Sequence, residues 1–132
     1  MPVIHPDIPN FSWAELTPAG MEEERLVAHC CLTVGNRFWE HMRLLQLLRE
    51  DWGPLRLTST WRTPEHNARV GGAENSQHLV WATDVVPATP SANRIEELAS
   101  AAEYEGFDGI GTYLEQGFVH LDLRGSDARW TV

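Results

Sequence analysis

Lysine is absent from this chain, and all ten of its basic residues are arginine. That excludes Schiff-base chemistry on a lysine amine and a Walker A phosphate loop, both of which need the ammonium group. Cysteine is scarce. Cys30 and Cys31 are adjacent, a separation at which good disulfide geometry is rarely reached, and they lack the paired spacing of a structural zinc site. They fall in an apolar stretch and are expected in the core. No apolar run approaches the roughly 20 residues of a membrane helix. The opening MPVIHPDIPNF has neither a basic segment nor an apolar h-region, so the expectation is a protein made in the cytoplasm without a signal peptide. Positive charge is short as well: 19 acidic residues leave a net charge of −9. This disfavours nucleic-acid binding and otherwise serves solubility.

The composition that remains, 42% hydrophobic and 22% charged, is that of a folded globular chain. With no internal repeat, low-complexity segment or linker, residues 1–132 read as a single domain, and the proline-rich residues 1–20 as its extended lead-in. Within that lead-in, Phe11 to Leu16 predicts a helical turn with Ser12 as N-cap and Glu15 closing a capping box. Residues 21–31 predict a helix opening on Glu22, Glu23 and Glu24. Phe38, Met42, Leu45 and Leu48 recur at helical spacing, which predicts a helix over 36–50 ended by Gly53-Pro54. A second amphipathic helix is expected over 93–105, capped by Asn93 with Glu96 and stopped by Gly106. Strands are expected at Leu55–Thr60, Ala82–Val86, Gly109–Tyr113 and Phe118–Arg124, the last two joined as a hairpin. Helices first and a late antiparallel sheet indicate an α+β domain, a small antiparallel sheet with helices packed on one side.

Alternation along the last strand points to a site. Val119, Leu121 and Leu123 would face the core, leaving His120, Asp122 and Arg124 together on the other face. His78 and Asp84 lie upstream in SQHLVWATD. Histidine and aspartate on neighbouring segments are the donor types of a catalytic zinc site that keeps one position open for water. His66 is expected at the surface. His5, His29 and His41 have no partner pattern and are expected to be structural or exposed. The tryptophans belong to the core by default, except that Trp61 and Trp81 flank the motif and are candidates to line a cleft.

The stretch TSTWRTPEHNARVGGAENSQHLVWATD, with the later GIGTY and FVHLD and the early FSWAEL, resembles the M15 zinc peptidases. That group includes D-alanyl-D-alanine carboxypeptidases, phage endolysins and murein endopeptidases. The resemblance spans nearly the whole chain and implies a hedgehog/DD-peptidase-like fold. It implies a Zn²⁺ ion held by His78, Asp84 and His120, and a peptidoglycan stem peptide as substrate. Arg62 would bind a substrate carboxylate or steady the oxyanion, against the bland reading of a structural salt bridge. Asp122 would orient a ligand or serve as general base, with Glu115 as an outside candidate for the base. A monomer with no nucleic-acid or membrane partner is expected, and the absent export signal fits a phage-encoded protein delivered to the cell wall.

The chain departs from the family pattern H-x-x-G-x-A-x-D in one place. Its His78–Asp84 segment is one residue shorter and lacks the glycine, with Val80 or Trp81 in its place. In a plain strand, one lost residue would turn the later side chains to the opposite face. Two alternatives to a working peptidase follow: a catalytically silent M15-like module that binds cell wall, and a structural phage component.

Overall fold

Proline-rich sequence with buried apolar anchors folds back on itself at the start of the chain. In the computed structural model, which describes residues 2–132, β1 (Val3–His5) and β2 (Ile8–Ser12) pair as a separate antiparallel hairpin. The lead-in is therefore a small sheet. Ile8 and Phe11 pin it to the core. The main chain of Asn10 donates to Gln46 Oε1 at 3.1 Å, and Gln46 Nε2 donates to Asn10 Oδ1 at 2.7 Å. The helical turn α1 (Trp13–Leu16) starts where the capping chemistry places it, with Ser12 Oγ accepting from the Glu15 amide at 3.1 Å.

The acidic opening of α2 (Glu23–Ala28) lies at its N-terminus, as the helix dipole favours. Instead of stopping, the helix widens into a π-helical turn over His29–Val34, closed by Gly35 with φ 68°. Cys30 is buried there, whereas Cys31 is exposed, a correction to its expected place in the core. Helix α3 (Asn36–Trp52) buries Phe38, Met42, Leu45 and Leu48, the predicted stripe, and ends at Gly53 with φ 117°.

Two short elements escape the sequence pattern. One is α4 (Pro64–Arg69), capped by Thr63; the other is a 3₁₀ turn at Gln77–Leu79, capped by Ser76. Helix α5 (Ala92–Glu105) starts one residue earlier than expected. Its cap is Ser91, whose hydroxyl accepts from the Arg94 amide, rather than Asn93; Gly106 ends it in the left-handed region. The main sheet contains β3 (Leu55–Ser59), β4 (Ala82–Pro87), β5 (Gly109–Tyr113), β6 (Phe118–Asp122) and β7 (Ala128–Thr131), in the order β3-β4-β6-β5-β7. Three of its pairings are antiparallel. The fourth, β5 with β7, is parallel, a departure from the antiparallel sheet expected.

The α+β architecture divides the sheet into two faces. Val85, Val119 and Leu121 are fully buried, as are Phe38, Leu45, Ile95 and Leu98 on α3 and α5, and each such side chain contributes about 1.5–3 kcal/mol relative to exposure. A polar tie crosses this layer, His41 Nε2 with Thr83 Oγ1 at 3.0 Å. Burial strips His41 of a stable charge and pushes its pKa down to about 3. The opposite face of β4 and β6 is free to carry polar groups. Among the described residues, no helix is long and apolar enough to cross a membrane.

Candidate metal centre

Antiparallel pairing puts Asp84 of β4 directly opposite His120 of β6, with Ala82 opposite Asp122. Paired residues share a face, so Asp84, His120 and Asp122 project together away from the α3–α5 layer. His78 reaches them from the 3₁₀ turn. Its ring Nε2 is 3.1 Å from Asp84 Oδ1, His120 Nδ1 is 3.2 Å from the same oxygen, and the two nitrogens are 3.3 Å apart. All three residues are buried. The missing residue between His78 and Asp84 does no damage to this convergence, because the change falls in the turn before β4 begins. Val80 absorbs it at φ −105° and ψ −79°, and no non-glycine residue takes a positive φ among the described residues.

Hydrogen bonds on the far side of each ring decide what the near side offers. His78 Nδ1 lies 2.6 Å from the Thr60 carbonyl. A carbonyl only accepts, so Nδ1 carries the proton and Nε2 of the neutral ring presents a lone pair. His120 Nε2 lies 2.7 Å from Asp122 Oδ2, so the neutral ring keeps its proton there and turns the Nδ1 lone pair inward. Three electron-pair donors thus face one another, an arrangement that repels unless a cation or a proton sits among them. Donors held about 2.0–2.2 Å from a tetrahedral zinc ion are about 3.3–3.6 Å apart, and the observed separations of 3.1, 3.2 and 3.3 Å lie at the short edge of that range, within a few tenths of an ångström. The donor set and its spacing therefore fit zinc.

The charges around the cluster favour a cation too. Burial alone would raise the Asp84 carboxyl, but in the metal-free protein a further proton on the His120 or His78 nitrogen that faces it outweighs burial and holds it down at about 2. Burial works to lower His120, yet the Asp122 and Asp84 carboxylates outweigh it and raise its pKa above the ordinary value. Asp122 is wholly buried. Burial would raise it, and His120 with Arg124 keep it well below the usual carboxylate range. Its Oδ1 accepts from the Arg124 amide at 3.1 Å and from Nε at 2.9 Å, and its Oδ2 accepts from His120 Nε2 and from Arg124 Nη2, each at 2.7 Å.

The GIGTY motif acquires a physical reason in the same region. Gly109 pairs with Asp122, and a Cβ there would lie 2.3 Å from both carboxylate oxygens. Gly111 pairs with Trp130 of β7, where a Cβ would lie 2.5 Å from the indole. Both glycines make room for a side chain on the next strand. Trp130 donates from Nε1 to the Tyr113 hydroxyl at 3.0 Å, and the Arg124 guanidinium lies 5.1 Å from its ring centroid. Trp130, expected in the core, lines the cleft instead. The signal was a bulky residue whose register partner is glycine, legible only once the β5–β7 pairing is known.

The cleft over the cluster has a volume of about 550 Å³ and is lined by Arg62, Asn75, Gln77, Tyr113, Gln116, Phe118 and Trp130 among others. Arg62 sits at its edge, with Nη2 3.9 Å from Asp84 Oδ2 and Nη1 donating to Asn67 Oδ1 at 3.3 Å. Asn67 in turn holds the Ala73 carbonyl at 2.8 Å, which fixes the VGGA loop. A second groove of about 470 Å³, along β3 and the loop at Thr17–Met21, meets the first at Arg62. Glu115 is exposed in the β5–β6 turn and His66 is exposed on α4; neither lines the cleft over the cluster. Trp81 is fully buried in the core and does not line the cleft, while Trp61 is partly buried and lines the second groove. Asp84 is the one carboxylate in the cleft lining among the described residues.

No curated protein matches the chain. A family model, Peptidase M15, matches residues 11–122, which include the FSWAEL turn, both glycine-rich motifs and the strand of His120. The chain belongs to the M15 peptidase family.

Proposed function

We propose that the protein is a zinc-dependent peptidase acting on peptidoglycan stem peptides, as a D-Ala-D-Ala carboxypeptidase or a murein endopeptidase. The observation that carries this reading is the convergence of three lone-pair donors, His78 Nε2, His120 Nδ1 and Asp84 Oδ1, at tetrahedral spacing. These three residues would hold the ion. When bound, zinc supplies a Lewis acid that polarises a peptide carbonyl and lowers the pKa of water.

The remaining roles belong to the chain's own side chains. Asp122 acts as the orienting carboxylate: it keeps the His120 proton on Nε2, and its acceptor positions are filled by His120 and Arg124, which leaves no lone pair for a general base. Arg62 presents a guanidinium at the cleft edge beside Asp84, where its fork suits the terminal carboxylate of a stem peptide. Trp130, Tyr113 and Phe118 offer an aromatic wall to the rest of the peptide. The protein would work as a monomer, without nucleic acid or membrane, once delivered to the cell wall where its substrate lies.

A second reading, a silent cell-wall-binding module, draws on the lack of a further carboxylate in the cleft lining among the described residues. Elemental analysis and turnover separate the two. The peptidase reading expects one zinc per chain, and release of D-alanine or peptide fragments from peptidoglycan that His120→Ala abolishes. Equal release by both proteins, or none by either with peptidoglycan still bound, would favour the silent module.

A further inference from the structure

His29 touches both segments that build the metal centre, although its sequence context gives it no partner. It opens the π-helical turn His29–Val34, a kind of helix widening often found at functional sites. From there its Nε2 donates to the Val80 carbonyl at 2.6 Å. Its ring also stacks on Trp61, with centroids 3.8 Å apart and planes 9° from parallel. The Arg25 guanidinium, one helical turn earlier, lies 5.5 Å from the same indole centroid.

Each of these contacts leads to a residue of the cluster. Trp61 stands between Thr60, whose carbonyl accepts from His78 Nδ1 at 2.6 Å, and Arg62, whose amide donates to the His78 carbonyl at 2.8 Å. Val80 lies between His78 and Asp84, at the residue where the short segment turns with ψ −79°. One imidazole therefore ties down both the backing of His78 and the bend that carries the chain on to Asp84. A five-residue connection without glycine has little slack, and an unbraced bend would let His78 and Asp84 drift by more than the roughly 0.5 Å that such constellations tolerate.

We propose that His29 is a positioning residue for the metal centre: by holding the Val80 carbonyl and the Trp61 plane, it fixes the His78–Asp84 segment in the conformation that brings its two ligands together. The inference rests on the zinc reading above for its effect on metal, but the brace itself can be read without metal. Two substitutions separate its contacts. His29→Phe keeps the stack and removes the donor; His29→Gln removes the stack and keeps an N–H that reaches the carbonyl.

Zinc affinity, measured by competition with a chromophoric chelator, should fall about 10- to 100-fold in His29→Phe, the range seen when a supporting contact of a metal ligand is lost. His29→Gln should recover most of it. In metal-free protein, amide hydrogen exchange over residues 79–82 should accelerate in His29→Phe and not in His29→Gln. If phenylalanine unfolds the domain, His29→Asn, whose amide is too short to reach Val80, replaces it in the comparison. Wild-type zinc affinity together with unchanged exchange in the donor-less variant would overturn the proposal. No zinc uptake by the wild type, with exchange still faster in His29→Phe, would instead leave the brace standing and remove the zinc reading.

Discussion

Replacing Gly109 with alanine should damage the metal centre without touching any of its three donors. The added methyl carbon would sit 2.3 Å from both oxygens of Asp122, about 1.1 Å inside the 3.4 Å at which ordinary contact begins. The carboxylate cannot simply step back, because Gly109 and Asp122 are register partners across β5 and β6, and both oxygens are tied to His120 and Arg124. Either the strands separate or Asp122 swings off His120. Overpacking of this kind costs about 1–3 kcal/mol of stability, a fall of roughly 3–15 °C in the melting midpoint of a domain this size. Releasing His120 Nε2 removes what fixes the tautomer that turns Nδ1 inward, and should weaken zinc about 10- to 100-fold, or about 1.4–2.7 kcal/mol. Melting of the metal-free protein and zinc competition with a chelator read the two effects separately. The double variant gives the sharper comparison: once Asp122→Ala has removed the carboxylate, adding Gly109→Ala should cost little more. Zinc affinity within twofold of wild type in Gly109→Ala, or full additivity in the double variant, would refute the reasoning.

Gly111→Ala should act differently. Its methyl would meet Trp130 at 2.5 Å and displace the indole from Tyr113, so steady-state assays should show a raised KM with zinc content unchanged. Arg62→Lys keeps the charge but loses the planar fork; on a substrate ending in a free carboxylate, kcat/KM should fall about 10-fold or more, while blocking that carboxylate should erase the difference between the two proteins. The pKa of His120 is raised above 6.5 in the metal-free protein, so its contribution to stability is fully present below pH 6.5 and is lost as pH rises through the raised value. Metal affinity runs the other way, because the Nδ1 proton must leave before zinc binds, and titrations should show it weakening as pH drops through that raised value. Asp84, lowered from 3.8 to about 2, adds metal-free stability that is present above pH 3.8 and lost as pH falls toward 2, a loss that acid melts of Asp84→Asn should lack.

Much of the site could be read from side-chain parity. Val119 and Leu121 inward, with His120 and Asp122 outward, follows from period-two alternation alone, and the β4–β6 register places Asp84 on the same face. Helix α3 was legible because its apolar stripe is long and its stop, Gly53, takes the positive φ that glycine favours. What escaped depends on pairing between distant segments. The parallel β5–β7 contact joins residues about Gly111 to Trp130, and nothing local in ARWT announces it, so Trp130 could not be placed in the cleft. The hairpin of β1 and β2 was hidden by prolines that break alternation. The start of α4 carried a usable signal, Thr63 as cap followed by Pro64 at the first turn. In a continuous strand the short His78–Asp84 segment would reverse the later side chains, whereas a turn can absorb the change; His78 lies in a 3₁₀ turn, where a lost residue changes the bend and not the parity of β4.

Three donors holding one zinc ion are the heart of the proposed enzyme, and anomalous diffraction from zinc-loaded crystals is the decisive measurement. A single strong peak is expected about 2.0–2.2 Å from His78 Nε2, His120 Nδ1 and an Asp84 carboxylate oxygen, with His120 Nε2 still facing Asp122. No peak among these residues at saturating zinc, or an ion bound to His120 through Nε2, would contradict it.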